Sequence, residues 1–433
     1  MHILKRGYEV IFSEGFVSFS LKLLLWPINR YCLWLMALGA WGKAARIGEW
    51  LIKLFQKRLE YYHILARCYI ALGEEDSATK VLRKGLEKNL LYSKIIGYLS
   101  ETPGGYIPKA TKYVYFGGEQ NLGCIEQSVV IDGIVEKYLT KISTISGFEK
   151  EKLFYQSIYN SYPKIKGITP YLIDIKEIAE DNLVLIRMKK VMGIVPPLNK
   201  EMINKAINAN KIITSIRYGA IKGDVPMEEK DGEFKLYYGK NRKHPICALQ
   251  SFSSIHIENV NRQLFASIFK SMKAKGYTYK SIELIKRVES VIIGHRLFTK
   301  ICPDVHYSLL HGDYGKQNML VDYKDGNLYI IDWGNMRIGP TWVDIAGFFG
   351  QLMQPFHVVK DEFLFNDKVS SDFEPIEKLF FVYTLIVTWF IVFTKREFEE
   401  NHYLYISPAV EAMEALKKEI ISETKDKHLV LSM

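Results

Sequence analysis

The pattern of apolar and polar positions along the chain changes near residue 102. Up to residue 100 it predicts pairs of antiparallel helices, and the Pro/Gly-rich stretch 102–108 then marks a domain boundary. Beyond this boundary the pattern is β-rich, with short apolar runs at 113–116, 129–131, 134–142 and 183–188. Past Pro196-Pro197 it becomes mostly helical. The pattern therefore predicts a helical segment, a small β-rich lobe and a larger helical lobe, which together make an α+β architecture.

The first hundred residues repeat at an interval of 34 residues. The matching positions are Leu38-Gly39 with Leu72-Gly73, Ala44 with Ala78, and Ile47 with Val81. In the second copy the small residues Ala66 and Ala78 allow two helices to approach closely, and Gly73 permits a tight turn. The spacing resembles a tetratricopeptide (TPR) repeat, of which a free-standing solenoid needs about three. We therefore expect this TPR-like helical domain (1–100) to pack against the rest of the chain or against a protein partner.

Composition and charge narrow the class of protein. The chain has 433 residues, of which 48% are hydrophobic and 24% charged, which is typical of globular proteins. Its cysteines lie far apart and include no C-x-x-C pair, which argues against a disulfide scaffold and suits a reducing cytosol. The net charge of +10 favours anionic partners such as a nucleotide, a phosphorylated substrate or an acidic membrane surface. Nucleic acid is not expected, because no RNP-like or helix-turn-helix signature accompanies the charge.

Two apolar stretches, 16–41 and 379–393, raise the question of a membrane span. Lys22 and Pro27 interrupt the first stretch, and the second has only 15 residues, whereas a spanning helix needs about 20. We therefore interpret both as buried helices of a cytoplasmic protein. Peripheral contact of residues 22–26 with the inner face of the membrane is the alternative.

Residues 309–346 contain the strongest candidate for a functional site. Two apolar runs flank Asp325-Gly326 and predict a β-hairpin, and Asn318 and Asp332 each lie seven residues from Asp325. Folding the hairpin is expected to place these two side chains side by side, with Asp313 on the loop that enters the first strand. Carboxylate and amide oxygens are the ligands that Mg²⁺ prefers, with phosphates and water completing its coordination. The alternative is that all three residues only cap or terminate local elements.

The same stretch resembles the aminoglycoside phosphotransferase and choline kinase superfamily, whose members are relatives of the protein kinases. His311-Gly312-Asp313 followed by Asn318 corresponds to the catalytic loop, and Ile331-Asp332-Trp333 to the metal-binding segment. The resemblance implies that Asp313 is the catalytic base and that Asn318 and Asp332 bind Mg²⁺. His311 and Asp344 are expected to support the loop. The implied fold is a bilobal, protein-kinase-like fold.

The resemblance also implies an ATP-binding N-lobe. Lys137, on the third strand, corresponds to the lysine that binds the α- and β-phosphates, with Lys141 on the same face as the second choice. Glu151, on the inward face of the next helix, is the expected carboxylate partner. Gly118, in the loop 117–123, is expected to approach the phosphates with its backbone, and residues 183–190 occupy the position of the interlobe hinge.

These features predict a kinase with a TPR-like domain (1–100), an N-lobe (105–195) and a C-lobe (196–425). The predicted reaction is Mg²⁺-dependent transfer of the ATP γ-phosphoryl group to a hydroxyl of a small molecule or glycan. The chain between Asp332 and Pro340 is short, which disfavours a peptide as the phosphate acceptor. The positive net charge of the protein disfavours a polycationic acceptor. Trp342, Phe348 and Trp389 line the acceptor pocket or form an aromatic core. A pseudokinase scaffold that binds a protein through residues 1–100 and a protein kinase are the alternative functions.

Overall fold

The structure, a computed structural model, describes residues 28, 31–36, 38–56, 59–88, 95, 97–100, 108–114, 121–197, 199–221, 254–366 and 373–431. The described residues form two compact units. The first lies within Met1–Phe148 and Leu172–Lys190, and the second within Glu149–Tyr171 and Val191–Met433.

The described part of the first unit begins with two helical hairpins. A helix at 31–36 turns at Gly39 into α1 (Trp41–Leu54), and α2 (Leu59–Ala71) turns at Gly73 into α3 (Glu75–Glu87). Both turns occur at the Leu-Gly pairs of the 34-residue repeat. The helical pairs are therefore present where the repeat predicts them, and their assignment as TPR-like stays a prediction.

A five-stranded antiparallel sheet follows, in the order β1-β2-β3-β5-β4. Its strands are β1 (Ala110–Val114), β2 (Asn121–Ile131), β3 (Ile134–Thr144), β4 (Leu172–Ile178) and β5 (Leu183–Lys189). A 3₁₀ turn, Ala179–Asp181, joins β4 to β5. Asp132 and Gly133 both have positive φ, as a type I′ turn requires, so the predicted hairpin at Asp132-Gly133 is confirmed.

The helices and the sheet of this unit share one hydrophobic core. The buried cluster combines residues from α2, α3 and the segment after α3 with residues from four strands: Ala66, Ala78, Leu82, Ile95, Leu99, Ile125, Ile142, Ile178, Leu183 and Leu185. A buried polar contact adds to it, since the Gln127 amide donates a hydrogen bond of 2.7 Å to the Leu99 carbonyl. The repeat region therefore packs against the rest of the chain, as its small number of repeats leads one to expect.

The second unit is mostly helical. Its α-helices are α4 (Glu149–Leu153), α5 (Tyr159–Ser161), α6 (Pro163–Lys166), α7 (Lys200–Thr214), α8 (Tyr218–Ile221), α9 (Ser254–Lys275), α10 (Tyr279–Glu289), α11 (Pro303–His306), α12 (Val343–Gln351), α13 (Phe356–Val359), α14 (Pro375–Val392), α15 (Lys395–Asn401) and α16 (Ile406–Leu431). Short π-helical segments, Phe154–Ile158, Ser290–Gly294 and Lys360–Leu364, and 3₁₀ turns, Leu297–Lys300, Lys316–Asn318 and Trp333–Asn335, complete the helical elements.

Two small antiparallel ladders flank the segment 311–332, which carries the candidate catalytic residues, in this unit. One pairs β7 (Tyr307–Leu310) with β10 (Arg337–Pro340). The other has the order β6-β8-β9, from β6 (Gly193–Ile194), β8 (Met319–Asp322) and β9 (Leu328–Ile330). The hairpin β8–β9 turns at the predicted Asp325-Gly326.

Helix α14 forms the centre of the second unit. By length and composition it could cross a membrane, but 72% of it is buried inside the protein, which is the state of a core helix. Its Trp389 is fully buried, and Trp342 and Phe348 are almost as inaccessible. These three aromatic residues therefore belong to the core, which is the second of the two interpretations that the sequence left open.

The α+β fold class is confirmed. The boundaries 1–100, 105–195 and 196–425 follow the sequence and stay a prediction, since contacts divide the chain differently. Several predicted features lie outside the described residues: Gly118 with most of its loop, the boundary stretch 102–107, and the segment 22–26.

Candidate active site

The candidate catalytic loop begins at the end of a fully buried strand. All four residues of β7 are buried, and β10 pairs with it in the register Leu310 to Arg337 and Tyr307 to Pro340. The loop 311–318 follows directly and ends in the 3₁₀ turn Lys316–Asn318, which leads into β8. Since both flanking strands are hydrogen-bonded in ladders, the loop is fixed at both ends.

Asp344, at the start of α12, binds the backbone of this loop. Its carboxylate accepts hydrogen bonds from the backbone N–H of His311 at 2.6 Å and of Gly312 at 3.1 Å. Burial raises the pKa of Asp344, while the positive charge of Arg337 and the two backbone donors oppose that rise. Arg337 also donates to the Gly312 carbonyl, so both ends of this glycine are held. The hydrogen bonds of Asp344 to the loop backbone agree with the expectation that this residue supports the loop.

Gly312 has a backbone conformation and surroundings that suit only glycine. Its φ is +84°, in the region that L-residues rarely adopt. A Cβ atom at this position would lie 2.1 Å from the Asn335 carbonyl oxygen. The HGD motif therefore needs its glycine for close packing against the segment that follows Asp332.

His311 uses both ring nitrogens inside the protein. Its Nε2 lies 2.9 Å from the Ile331 carbonyl, and its Nδ1 lies 3.3 Å from the Asp313 backbone nitrogen. A neutral ring that donates from Nε2 and accepts at Nδ1 satisfies both contacts. Burial lowers the pKa of His311, although the Asp344 carboxylate opposes this effect. His311 is thus a neutral structural link between the loop and the hairpin, and it has no nitrogen left to act as a base.

Asp313 and Asn318 contact each other within the loop. The Asn318 side-chain amide donates to the Asp313 carboxylate at 3.0 Å and to the Asp313 backbone carbonyl at 2.8 Å. Gln317 reaches the other carboxylate oxygen at 3.4 Å. These donors orient Asp313, which is half-buried and open to solvent, whereas Asn318 is buried. The sequence therefore correctly predicts that these two residues meet.

The hairpin places Asp332 one residue beyond the position opposite Asn318. Met319 pairs with Ile330, and the Ile331 N–H donates to the Asn318 carbonyl, so Ile331 stands opposite Asn318. Equal spacing from Asp325 would instead set Asn318 opposite Asp332. Asp332 follows in a left-handed conformation, with φ +68° and ψ +65°, and is exposed. This turn redirects the chain immediately after the strand.

An aromatic stack connects the Asp332 segment to the helix that carries Glu151. The rings of Trp333 and Phe154 are parallel, with centroids 3.8 Å apart, and both side chains are fully buried. Glu151 is also fully buried, on the same helical face as Phe154 and Tyr155. Burial raises the pKa of the Tyr155 phenol, and the negative charges of Glu151 and Asp332 raise it further. Both carboxylates therefore lie within electrostatic range of the same hydroxyl group.

The predicted phosphate-binding lysine lies in the first unit and pairs there with a glutamate of β2. The Lys137 ammonium is 3.4 Å from the Glu126 carboxylate, which Lys190 also binds. Burial raises the pKa of Glu126, but these two lysines outweigh that effect and lower it overall. Lys141 lies four residues further along β3, with its ammonium 5.1 Å from the centre of the Phe148 ring. The assignment of Lys137 and Glu151 to nucleotide binding stays a prediction.

The donor set at the hairpin fits magnesium. Within the described part of the chain, no cluster of three or more His, Cys, Asp or Glu side chains forms a metal site by itself. The two atoms that could bind Mg²⁺ are a carboxylate oxygen of Asp332 and the amide oxygen of Asn318. Since both hydrogen bonds of the Asn318 NH₂ group go to Asp313, its Oδ1 is the atom that remains for a cation. One carboxylate and one amide oxygen suit Mg²⁺, which keeps several water or phosphate ligands.

Several contacts of the predicted residues, in each of the two units, do not follow from the sequence motifs. Glu126, Gln317 and Arg337 belong to no part of the motif, and the Phe154–Trp333 stack joins residues 179 positions apart. The sequence gives a weak indication for the contact of Arg337. The backbone carbonyl groups of the loop need hydrogen-bond donors, and a nearby cation can supply them. The stack has no sequence signal beyond the apolar face on which Phe154 lies.

A protein-family model matches the part of the chain that contains this site. Residues 280–359 match the model of the phosphotransferase enzyme family. The matched segment contains the loop 311–318, Asp332 and Asp344. The resemblance to the aminoglycoside phosphotransferase and choline kinase superfamily is therefore confirmed over the segment that carries the motifs. No curated protein sequence matches the chain.

The comparison with solved structures finds matches at low identity, three of which follow. A spectinomycin phosphotransferase in complex with ADP and spectinomycin is 14% identical, with a TM-score of 0.42, over 75% of this chain and 98% of that chain. A choline kinase from Streptococcus pneumoniae is 14% identical, with a TM-score of 0.34, over 77% and 98% of the two chains. An ethanolamine kinase from Plasmodium vivax is 13% identical, with a TM-score of 0.39, over 79% and 94%.

Proposed function

We propose that the protein transfers the γ-phosphoryl group of ATP, with Mg²⁺, to a hydroxyl group of a small molecule or glycan. The observation that carries the proposal is the position of Asp313. Its carboxylate lies on a loop fixed by Asp344 and is oriented by the amide of Asn318. A half-exposed carboxylate held in one place by neighbouring donors is suited to accept the proton of an attacking hydroxyl group.

Asn318 and Asp332 are proposed to hold the metal. Bound Mg²⁺ would supply neutralisation of the negative charge on the phosphates. Asn318 has a second role, because its NH₂ group fixes Asp313 while its Oδ1 remains for the cation. The geometry of the base therefore depends on a residue that also binds the metal.

Lys137 and Glu151 are proposed to bind the nucleotide phosphates. Glu126 supports this role for Lys137, because its carboxylate pairs with the Lys137 ammonium at 3.4 Å and so orients it. Lys141, on the same face of β3, is the competing choice. Glu151 is a fully buried carboxylate, and a buried charge is retained only where a cation or strong donors compensate it.

A small hydroxyl compound is the acceptor that fits best. The strand β10 begins five residues after Asp332, so the segment that follows the metal-binding aspartate is short. This leaves little surface for docking a peptide. The net charge of +10 disfavours polycationic acceptors and suits phosphate-bearing or neutral ones.

The direct test is a transfer screen with ATP labelled in the γ-phosphate. The acceptors are sugars, lipid-linked glycans, amino alcohols and aminoglycosides, offered to the wild type and to the Asp332→Ala variant. Asp361→Ala is the matched control, since Asp361 is an exposed aspartate on the Lys360–Leu364 segment. We expect magnesium-dependent transfer by the wild type and the control, and loss of transfer in Asp332→Ala. A wild type that binds ATP and transfers to no acceptor would favour a pseudokinase scaffold instead.

A further inference from the structure

The second unit contains a cavity that the proposed reaction does not use. Its volume is about 130 Å³. The walls come from the C-terminal half of α7, the residues that follow it, the start of α12 and the segment before α14: Ile207, Asn210, Lys211, Thr214, Ser215, Arg217, Thr341, Ile345, Phe363 and Phe373. A water molecule takes a share of about 30 Å³ in the liquid, so the cavity has room for one small organic ion.

Asn210 provides the first sign that a polar molecule belongs in this cavity. The residue is only 4% exposed, and its Nδ2 is buried without a hydrogen-bond partner among the described residues. Buried amide groups almost always have a partner, because leaving one unpaired is costly. Since Asn210 lines the cavity, a ligand oxygen inside it would satisfy this donor.

Two cations of the cavity wall indicate the charge of that ligand. Lys211 and Arg217 form no ion pair with any carboxylate in the part of the chain that the structure describes, and Arg217 makes only a long contact of 3.4 Å to the Val305 carbonyl. The carboxylate of Glu377, which contacts the wall residue Thr341, accepts from the Thr341 hydroxyl at 2.8 Å and from the Glu374 N–H at 3.0 Å. The two cations therefore remain available to an anion.

The hydroxyl groups of the wall can only accept hydrogen bonds from a ligand. Thr214 donates its proton to the Asn210 carbonyl, Ser215 to the Ile212 carbonyl and Thr341 to Glu377. Each hydroxyl proton is thus used within the protein, which leaves oxygen lone pairs for the cavity. A ligand that satisfies the whole wall needs hydroxyl donors as well as an anionic group.

The Thr341 wall of this cavity lies at the opposite end of the β7–β10 ladder from the candidate catalytic loop. Thr341 follows β10 at the end where Pro340 pairs with Tyr307, whereas the catalytic loop leaves the opposite end, where Arg337 pairs with Leu310. The length of β7 separates the two ends by roughly 10 Å. A ligand that contacts Thr341 is therefore at the far end of the ladder from Asp313.

We propose that the cavity binds a small hydroxylated anion, of the class of short phosphorylated polyols, at a site distinct from the one that carries out transfer. The anionic group contacts Lys211 and Arg217, an acceptor oxygen of the ligand takes the Asn210 Nδ2–H, and its hydroxyl groups donate to the Thr and Ser oxygens. Ile345 contacts the same ligand and is adjacent to Asp344, which holds the catalytic loop. The proposed ligand therefore lies next to Asp344, which holds the loop that carries the proposed base Asp313.

The test measures binding of glycerol 3-phosphate by calorimetry to the full-length protein without nucleotide, with glycerol as the uncharged comparison. We expect binding of glycerol 3-phosphate and no measurable binding of glycerol. Asn210→Leu removes the unpaired donor at similar volume and should weaken binding about tenfold, the typical effect of a hydrogen bond to a charged group. Lys211→Met changes a half-buried part of the wall and Arg217→Met an exposed part. Each should weaken binding as well, so the proposal does not depend on one variant folding.

Lys200→Met is the matched control, because Lys200 lies on the same helix α7 but its ammonium pairs with Glu362. It should bind glycerol 3-phosphate like the wild type. The proposal is overturned if the wild type does not bind glycerol 3-phosphate, which would mean that the cavity holds water only. It is equally overturned if Asn210→Leu, Lys211→Met and Arg217→Met all bind as the wild type does.

Discussion

The side-chain amide of Asn318 donates to both the carboxylate and the backbone carbonyl of Asp313, at 3.0 and 2.8 Å. This pair of bonds fixes the orientation of the carboxylate and also that of the amide. Its consequence is a coupling between the proposed base and the proposed metal ligand, so changes at one residue should be visible in the properties of the other.

Replacing Asp313 by Asn should abolish transfer while nucleotide binding persists. The asparagine amide has the same shape as the carboxylate but cannot take the proton from the substrate hydroxyl group. General-base catalysis commonly raises the reaction rate by about 10²–10⁴-fold. We expect a loss of that order in kcat, with the Kd for ATP within about threefold of the wild type. Single-turnover transfer and fluorescence titration with a nucleotide analogue would measure the two quantities. Undiminished transfer in this variant would contradict the assignment of the base.

Replacing Asn318 by Asp should shift the pH dependence of transfer. A second carboxylate about 3 Å from Asp313 disfavours two negative charges, so the pKa of the coupled pair rises and the base is ionised only at higher pH. The acidic limb of the pH–rate profile should move upward by about one pH unit. Asn327→Asp is the control, since the Asn327 amide donates to Asp325 at 2.8 Å in the hairpin turn. A profile unchanged in Asn318→Asp would show that the hydrogen bond is absent during catalysis.

The sequence predicts the parts of this site that depend on local chain direction. The hairpin signals at Asp132-Gly133 and Asp325-Gly326 specify where the strands turn, because few residues adopt the positive φ of such turns. The spacing between Asp313 and Asn318 is short enough that one loop brings them together. The inward face with Glu151, Phe154 and Tyr155 follows from helical periodicity, and all three residues are buried.

The remaining features depend on contacts that local patterns do not determine. The register of β8 with β9 differs by one residue from a symmetric hairpin about Asp325, and ladder contacts rather than residue types decide it. The second pairing of Glu126, with Lys190, connects strands that are distant in the sequence. The repeat at 34 residues likewise predicts the helices of residues 31–87 but not the strands that share their core.

Gly312 should not tolerate even the smallest side chain. In Gly312→Ala the new Cβ would lie 2.1 Å from the Asn335 carbonyl oxygen, at a φ that alanine adopts only with strain. We expect the free energy of unfolding to fall by about 2 kcal/mol or more, together with a loss of transfer. The control is Gly347→Ala in helix α12, where a Cβ would have no neighbour within 4 Å. That variant should be as stable as the wild type or more stable by up to about 1 kcal/mol in denaturant unfolding.

The lysine that binds the phosphates can be identified by comparing two variants on one strand face. Lys137→Met should raise the KM for ATP about tenfold, because a charge-assisted contact to phosphate is lost. Lys141→Met should have the smaller effect. Lys189→Met serves as the control, since Lys189 is half-exposed and pairs with Glu136 at 2.7 Å. A larger effect of Lys141→Met than of Lys137→Met would transfer the phosphate-binding role to Lys141.

His311 should make the stability of the protein depend on pH below neutrality. Burial lowers the pKa of His311 from its ordinary value of 6.5, so the folded state keeps this ring neutral while the unfolded chain takes up a proton. Between pH 6.5 and the lowered pKa, the unfolded state therefore binds more protons. The free energy of unfolding should fall with decreasing pH there, by at most about 1.4 kcal/mol per pH unit. Asp344 acts in the opposite direction, because its pKa is raised above 3.8 and its folded form binds the extra proton.

Urea unfolding between pH 7.5 and 5.5 can separate the contribution of His311 to the pH dependence of stability from that of Asp344. His311→Asn keeps an oxygen that can accept from the Asp313 N–H but removes the titrating ring, so its stability should vary less with pH than that of the wild type. His357→Gln changes an exposed histidine and should keep the wild-type slope. His311→Asn is expected to be less stable at every pH, since it loses the contact to Ile331, and the difference in slope is therefore the informative quantity. Equal slopes in the wild type and His311→Asn would mean that the folded protein protonates His311 as readily as the unfolded chain does, which the burial of this ring and its two internal contacts argue against.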